Sequence, residues 1–283
     1  MKKVTFFLII ALAFTFGIAD LGAQVLTPTP YDGIYTKIHY PNRRVVPYSQ
    51  LREADVMFAK RVWRKIDLRE KLNQPLYYPI EETFQRKNLM KVIVDALLKE
   101  QSLNAYDALT DDFSGGALTT AEVEKLFSST DSIQIPSLED PEILIDTVIK
   151  KDFDPSSVKA FKIKEEWVFD KQRSVFEPRI IGICPVQQVE KGEEVFDKDM
   201  FWLYFPEVRK VLINHEVYNP YNFSQRLTYD DVFMKRQFNS LIYKVDNTYD
   251  RRLSEYTTGI NALLEAEEIK TQLMDYEHNL WEQ

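Results

Sequence analysis

Lys162-Ile163-Lys164-Glu165-Glu166-Trp167-Val168-Phe169 sets β-branched and aromatic residues among charges, the texture of a half-buried strand. Lys171-Gln172-Arg173-Ser174 follows as a polar turn, and Val175 to Cys184 is apolar enough to be its hairpin partner. Pro178 has no N–H to give to a ladder, so it marks an edge or a bulge in the second strand. Further on, Phe201-Trp202-Leu203-Tyr204-Phe205 is an apolar run ending at Pro206, which predicts another strand, and Glu207 to Ile213 is left open to a helix. The middle of the chain therefore holds a small antiparallel sheet.

Helical patterns lie on both sides of it. From Ser49 through about Leu72, the residues Leu51, Asp55, Phe58, Val62 and Ile66 trace one face at spacings of three and four. Lys60, Arg61, Arg64, Lys65 and Arg69 fall around the other side with Trp63 among them, and Asn73-Gln74-Pro75 ends the segment. After an aromatic connector, Leu76-Tyr77-Tyr78-Pro79, a second helix is expected from about Glu81 to Gln101. Leu89, Ile93, Ala96 and Leu97 form its buried stripe, and Glu81 and Glu82 suit its N-terminal dipole. Thr119 and Glu122 make a capping box for a short helix ending near Phe127, with Leu118 and Val123 as a hydrophobic staple. Thr228 caps a later segment starting at Tyr229-Asp230-Asp231. At the C-terminus, Ala262, Ala266, Ile269, Leu273, Tyr276 and Leu280 repeat alternately at four and three. That helix packs on its own domain by default, with a partner as the alternative. The expected fold is α+β, with helical N- and C-terminal segments around a small antiparallel sheet.

The division of the chain follows from composition. Met1-Lys2-Lys3, the apolar run Val4 to Ala19 and the small residues ending at Gly22-Ala23 form a three-part secretory signal peptide over 1–23. Cleavage is expected after Ala23, with Ala19 as the second position. Residues 24–48 are an extended arm, because Pro28, Pro30, Pro41 and Pro47 discourage helix. Tyr31, Tyr35, Tyr40 and Tyr48 give that arm apolar area with polar tips, suited to docking on a surface. Residues 49–283 are the α+β body, with a subdivision possible near 128–158, where Pro136, Pro141 and Pro155 punctuate a polar linker or surface excursion holding a little strand. No later stretch is long and apolar enough to span a bilayer as a helix.

Among 283 residues, 44 acids against 36 bases leave a net charge of −8, which argues against nucleic acid as a partner. One cysteine, Cys184, rules out an internal disulfide framework, a cysteine zinc cluster and a lipidated N-terminal cysteine. Its neighbours Ile183 and Pro185 suggest a buried, inert thiol. Chemistry is hard to find. His215-Glu216-Val217-Tyr218-Asn219 begins like a zinc-protease helix, but Asn219 stands where the second histidine belongs. Ser156-Ser157-Val158-Lys159 matches Ser-x-x-Lys without an accompanying Lys-Thr-Gly. Asp107, Asp111 and Asp112 lack calcium-loop spacing and read as a capped turn. No catalytic, cofactor or metal residues are assigned.

Two stretches of the chain carry a resemblance. Arg52-Glu53-Ala54-Asp55-Val56-Met57, Lys60-Arg61-Val62-Trp63-Arg64 and Ile66-Asp67-Leu68-Arg69-Glu70-Lys71, closed by Pro75-Leu76-Tyr77-Tyr78-Pro79, resemble the GldN/PorN family. So does Tyr276-Glu277-His278-Asn279-Leu280-Trp281. The resemblance implies a periplasmic component of the type IX protein secretion system of Bacteroidota, which supports gliding motility in species that glide. It also implies a non-enzymatic scaffold without cofactors, forming rings at the inner face of the outer membrane. The partners implied are a GldK/PorK-type outer-membrane lipoprotein, copies of the chain itself and other components of that machine. The arm tyrosines and Trp63, with Arg61 and Arg64, are then candidate partner contacts, packing of Trp63 inside the domain being the alternative. Two rivals are an envelope hydrolase built around His215 or paired acids, and a periplasmic ligand-binding module with a pocket lined by the 201–205 aromatics.

Overall fold

The computed structural model describes residues 43–83, 86–136, 144–151, 153–191, 194–222 and 224–281. The expected leader and most of the arm, including Tyr31, Tyr35 and Tyr40, lie outside the described residues. Those described belong to one compact unit, Pro41–Gln283.

The hairpin forms at the centre of the sheet. Strand β5 (Val158–Asp170) runs antiparallel to β6 (Val175–Lys191), with Phe169 opposite Phe176 and Ile163 opposite Ile183. Asp170 organises the turn by accepting from the amides of Gln172 at 2.9 Å and Arg173 at 3.3 Å. Strand β1 (Val56–Asp67) lies on the other side of β5, and β11 (Leu241–Val245) completes that edge. Beyond β6 come β7 (Glu194–Asp199), β8 (Trp202–Tyr204) and β2 (Ala105–Tyr106), and every pairing is antiparallel. Pro178 sits opposite Trp167, and no described strand pairs with its outer side, so the edge reading of this proline holds locally.

Strand β1 corrects the helix expected over Ser49 to Leu72. Phe58, Val62 and Ile66 are four apart, and four residues return to the same face of a strand as readily as of a helix. The β-branched and aromatic content of Val56 to Ile66, together with the long ladder offered by β5, decides for strand.

One face of the sheet is covered by helices: α2 (Leu89–Val94, prolonged by a π turn Asp95–Lys99), α3 (Thr120–Phe127), α4 (Phe205–Leu212) and α5 (Tyr229–Met234). They bury Ile66, Phe161, Ile163 and Ile183 in the main core. A second cluster on the same face joins Val62, Phe176, Ile242 and Val245 to Ala266, Ile269 and Leu273 of the C-terminal helix. That helix, α7 (Ile260–Trp281), follows the short α6 (Leu253–Tyr256) and packs on its own domain through the expected stripe. Tyr276 stacks on Phe58 with ring centroids 4.1 Å apart.

Local signals were accurate where a cap specified them. Thr119 and Glu122 form the capping box of α3, and Thr228 caps α5 reciprocally with Asp231. The helix expected from Glu81 starts instead at Leu89, where the Asn88 side chain accepts from the Lys91 amide at 2.7 Å. Glu81 and Glu82 therefore precede the helix. Within 128–158, in place of a linker with a little strand, β3 (Ser129–Pro136) and β4 (Leu144–Lys151) form a separate antiparallel hairpin. Other short elements include α1 (Gln74–Tyr77) and a two-stranded ladder of β9 (Glu216–Val217) with β10 (Leu227–Thr228).

Candidate functional site

The register places the three β1 candidates in different surroundings. Trp63 points away from the helices and is only 4% exposed. Its indole Nε1 donates to Asp111 Oδ2 at 2.6 Å, and the Lys244 and Lys164 ammonium groups lie 4.5 and 5.4 Å from its ring. Cys184, Trp202, Tyr106, Phe113 and Tyr243 pack around it. Arg64 alternates to the helix-covered face and is also buried, paired with Glu165. Of the three, Arg61 alone is exposed, 3.3 Å from Glu166. Burial leaves Trp63 and Arg64 holding the chain's own sheet, and only Arg61 presents itself outward.

Glu165 is fully buried and gathers a small charge cluster. It accepts from Arg236 at 2.7 Å and from Trp167 Nε1 at 3.3 Å, besides pairing with Arg64. Both guanidinium groups lie over the Trp167 ring, at 6.0 and 5.7 Å. This cluster separates the two apolar clusters on the covered face, because Arg64 lies between Val62 and Ile66 as Glu165 lies between Ile163 and Trp167.

The last part of the expected arm docks on the chain's own body. Two guanidinium groups lie over the Tyr48 ring, Arg209 at 5.0 Å and Arg179 at 5.4 Å. Burial raises its phenol above the usual range, against the opposing pull of Arg209. Ser49 Oγ accepts from Arg173 at 2.5 Å and Arg179 at 2.8 Å, and Arg43 pairs with Asp231 at 3.3 Å. Beneath Tyr48, Arg209 and Asp230 form a buried ion pair at 2.7 Å.

The catalytic look-alikes are structural. His215 lies in a turn and Glu216 in β9, so the helix that a zinc-protease motif requires does not exist. Burial and Lys87 push the His215 imidazole below its usual range. Ser156 Oγ donates to Asp154 at 2.5 Å while Lys159 Nζ donates to Tyr77 at 2.6 Å, so the serine and the lysine face different partners. Asp112 closes a turn by accepting from the Ser114 amide at 3.1 Å. Burial pushes the Cys184 thiol up to about 12, leaving it unreactive. Among the described residues no group of three His, Cys, Asp or Glu is placed to hold a metal ion. Phe201, Trp202, Leu203 and Phe205 are buried in the core and line neither of the two surface hollows.

Two open concavities lie elsewhere on the described surface. Two hollows of about 720 and 690 Å³ adjoin, sharing Lys71, Pro75, Tyr218 and Pro220. Tyr78, Pro79 and Ile80 line one, and Tyr221, Leu227 and Val232 the other. Arg86 lies over the Tyr218 ring at 5.2 Å. Leu72, Tyr78, Ile80, Tyr218 and Tyr221 remain exposed there, which is unusual for so many large side chains together. The sequence shows the two contributing segments, Leu76-Tyr77-Tyr78-Pro79 and Tyr218-Asn219-Pro220-Tyr221, as Tyr/Pro-rich connectors. Only their tertiary approach makes them one trough.

No helix among the described residues is long and apolar enough to cross a membrane. A search of curated proteins finds no match. A family model described as gliding motility associated protein GldN matches residues 51–282, nearly the whole chain, so the chain belongs to the GldN family and is associated with gliding motility and type IX secretion.

Proposed function

We propose that this chain is a non-enzymatic periplasmic scaffold of the type IX secretion system, assembling with an outer-membrane lipoprotein into a ring that supports protein export and, in gliding species, motility. The observation that carries this reading is the family match over residues 51–282. The leader expected over 1–23 would deliver the chain to the periplasm, and the lipoprotein would hold it at the inner face of the outer membrane. Closing a ring from heterologous contacts needs two different faces on each copy. Exposed apolar residues occur on two separate surfaces, the Tyr/Pro trough and the outer side of α7, where Ile260, Leu264 and Met274 are uncovered.

Residues 24–42, with Tyr31, Tyr35 and Tyr40, reach onto a neighbouring protein in this reading, while Tyr48 stays engaged by Arg179 and Arg209. Exposed Arg61 is a second contact. Deleting residues 24–42 leaves Arg43 and Tyr48 in place, so the variant should fold with an unchanged melting temperature and lose co-purification with the envelope complex. Full recovery of the complex by the deletion variant would contradict this assignment.

A further inference from the structure

We infer that the trough between the 71–86 and 217–237 segments binds an extended, acidic, proline-containing peptide segment of a partner protein. The inference goes beyond the scaffold reading and stands without it, since it concerns the groove of a single chain.

Shape is the first argument. The hollows share a wall and continue into one another, so the site is elongated and open rather than a closed cavity. Its surface is built of rings, with Tyr78, Tyr218, Pro220 and Tyr221 exposed and Pro75 and Pro79 half-buried among them. Aromatic ridges of this kind suit a polyproline helix, which is stiff before binding and carries carbonyls that tyrosine hydroxyls can reach. A flexible peptide would lose more entropy on the same surface.

Charge is the second argument. The chain carries a net −8, yet the described residues lining the two hollows include Lys71, Arg86 and Lys235 and no carboxylate. The acid nearest to Lys235 is Asp231, 3.6 Å away and outside the lining. A groove of one sign on a protein of the other selects its occupant by complementarity, and here selects acids.

The test uses the full mature chain and fluorescein-labelled (Pro-Pro-Glu)4, read by fluorescence anisotropy at low salt. Saturable binding is expected, weakened at least ~10-fold by Tyr218→Ala and by the pair Lys71→Glu and Arg86→Glu, and weakened less by Tyr218→Phe, which keeps the ring but loses the hydroxyl. Because Tyr218 is about half exposed, the alanine variant should keep its fold, which circular dichroism checks. (Pro-Pro-Lys)4 and (Gly-Ser-Glu)4 should bind at least ~10-fold more weakly. No saturable binding of (Pro-Pro-Glu)4 overturns the inference. So does equal binding of the lysine peptide, of the glycine-serine peptide, or of the Tyr218→Ala variant. A thermal shift given by succinate but not by the peptide would make the trough a small-carboxylate site and likewise overturn it.

Discussion

At the scale of single residues, charge placement divides this protein more than composition suggests. Glu165 faces two arginines from different elements and has no exposure to water. Glu165→Gln keeps the shape but leaves Arg64 buried without its counter-charge. Removing one partner of such a group costs about 3–5 kcal/mol, so the urea midpoint should fall steeply. A midpoint close to that of the native chain would show the cluster to be dispensable. His215 makes a different prediction. Burial, then Lys87, holds its imidazole below the ordinary value of 6.5, so the unfolded chain takes up this proton at higher pH than the folded one. Stability is therefore full above about pH 6.5 and declines as pH falls through that value toward the lower folded pKa. Urea midpoints measured from about pH 8 to pH 5 should show the decline, and His215→Gln should flatten it. An unchanged slope in the variant would assign the pH dependence to other groups.

At the scale of elements, what could be read in advance depended on whether the pattern named one period. The hairpin around Lys171-Gln172-Arg173-Ser174 was legible because β-rich runs flank a polar turn. The capping boxes at Thr119 and Thr228 were legible because a cap is a local bond between residues three apart. Strand β1 was not, since Phe58, Val62 and Ile66 satisfy both periods and the deciding ladder with β5 is formed by residues a hundred positions away. The start of α2 was misplaced for a related reason: Glu81 and Glu82 suit a helix dipole, but the amide-satisfying side chain is Asn88. Packing of the loop onto the sheet was also invisible. A Cβ at Gly182 would lie 2.8 Å from Phe113 Cζ and 3.2 Å from Trp202 Cε3, so the strand has no side chain where the loop ring rests. Gly182→Ala should cost about 1–3 kcal/mol. Adding Phe113→Ala should recover part of that loss in a double-mutant cycle, and strictly additive effects would deny the contact.

At the scale of the whole molecule, the described body is a sheet with helices packed on one face. Exposed apolar side chains gather in an aromatic trough and on the outer side of the C-terminal helix, the two faces proposed for partners. The trough was beyond the sequence, because it joins two connectors about 140 positions apart, whereas the stripe of α7 was legible and its outer side follows from it. Of the candidate contacts named from sequence, Trp63 and Arg64 turn inward, Tyr48 packs on the body, and Arg61 stays outside. What the sequence did carry was the resemblance in Arg52 to Pro79, residues that build β1 and one wall of the trough. The central claim is that this body works as part of an assembly rather than alone. The most direct measurement is gentle purification of the tagged chain from its native envelope, with mass spectrometry and negative-stain microscopy on one sample. The account predicts large rings containing an outer-membrane lipoprotein. A small, partner-free particle, recovered under conditions that keep other envelope complexes intact, would contradict it.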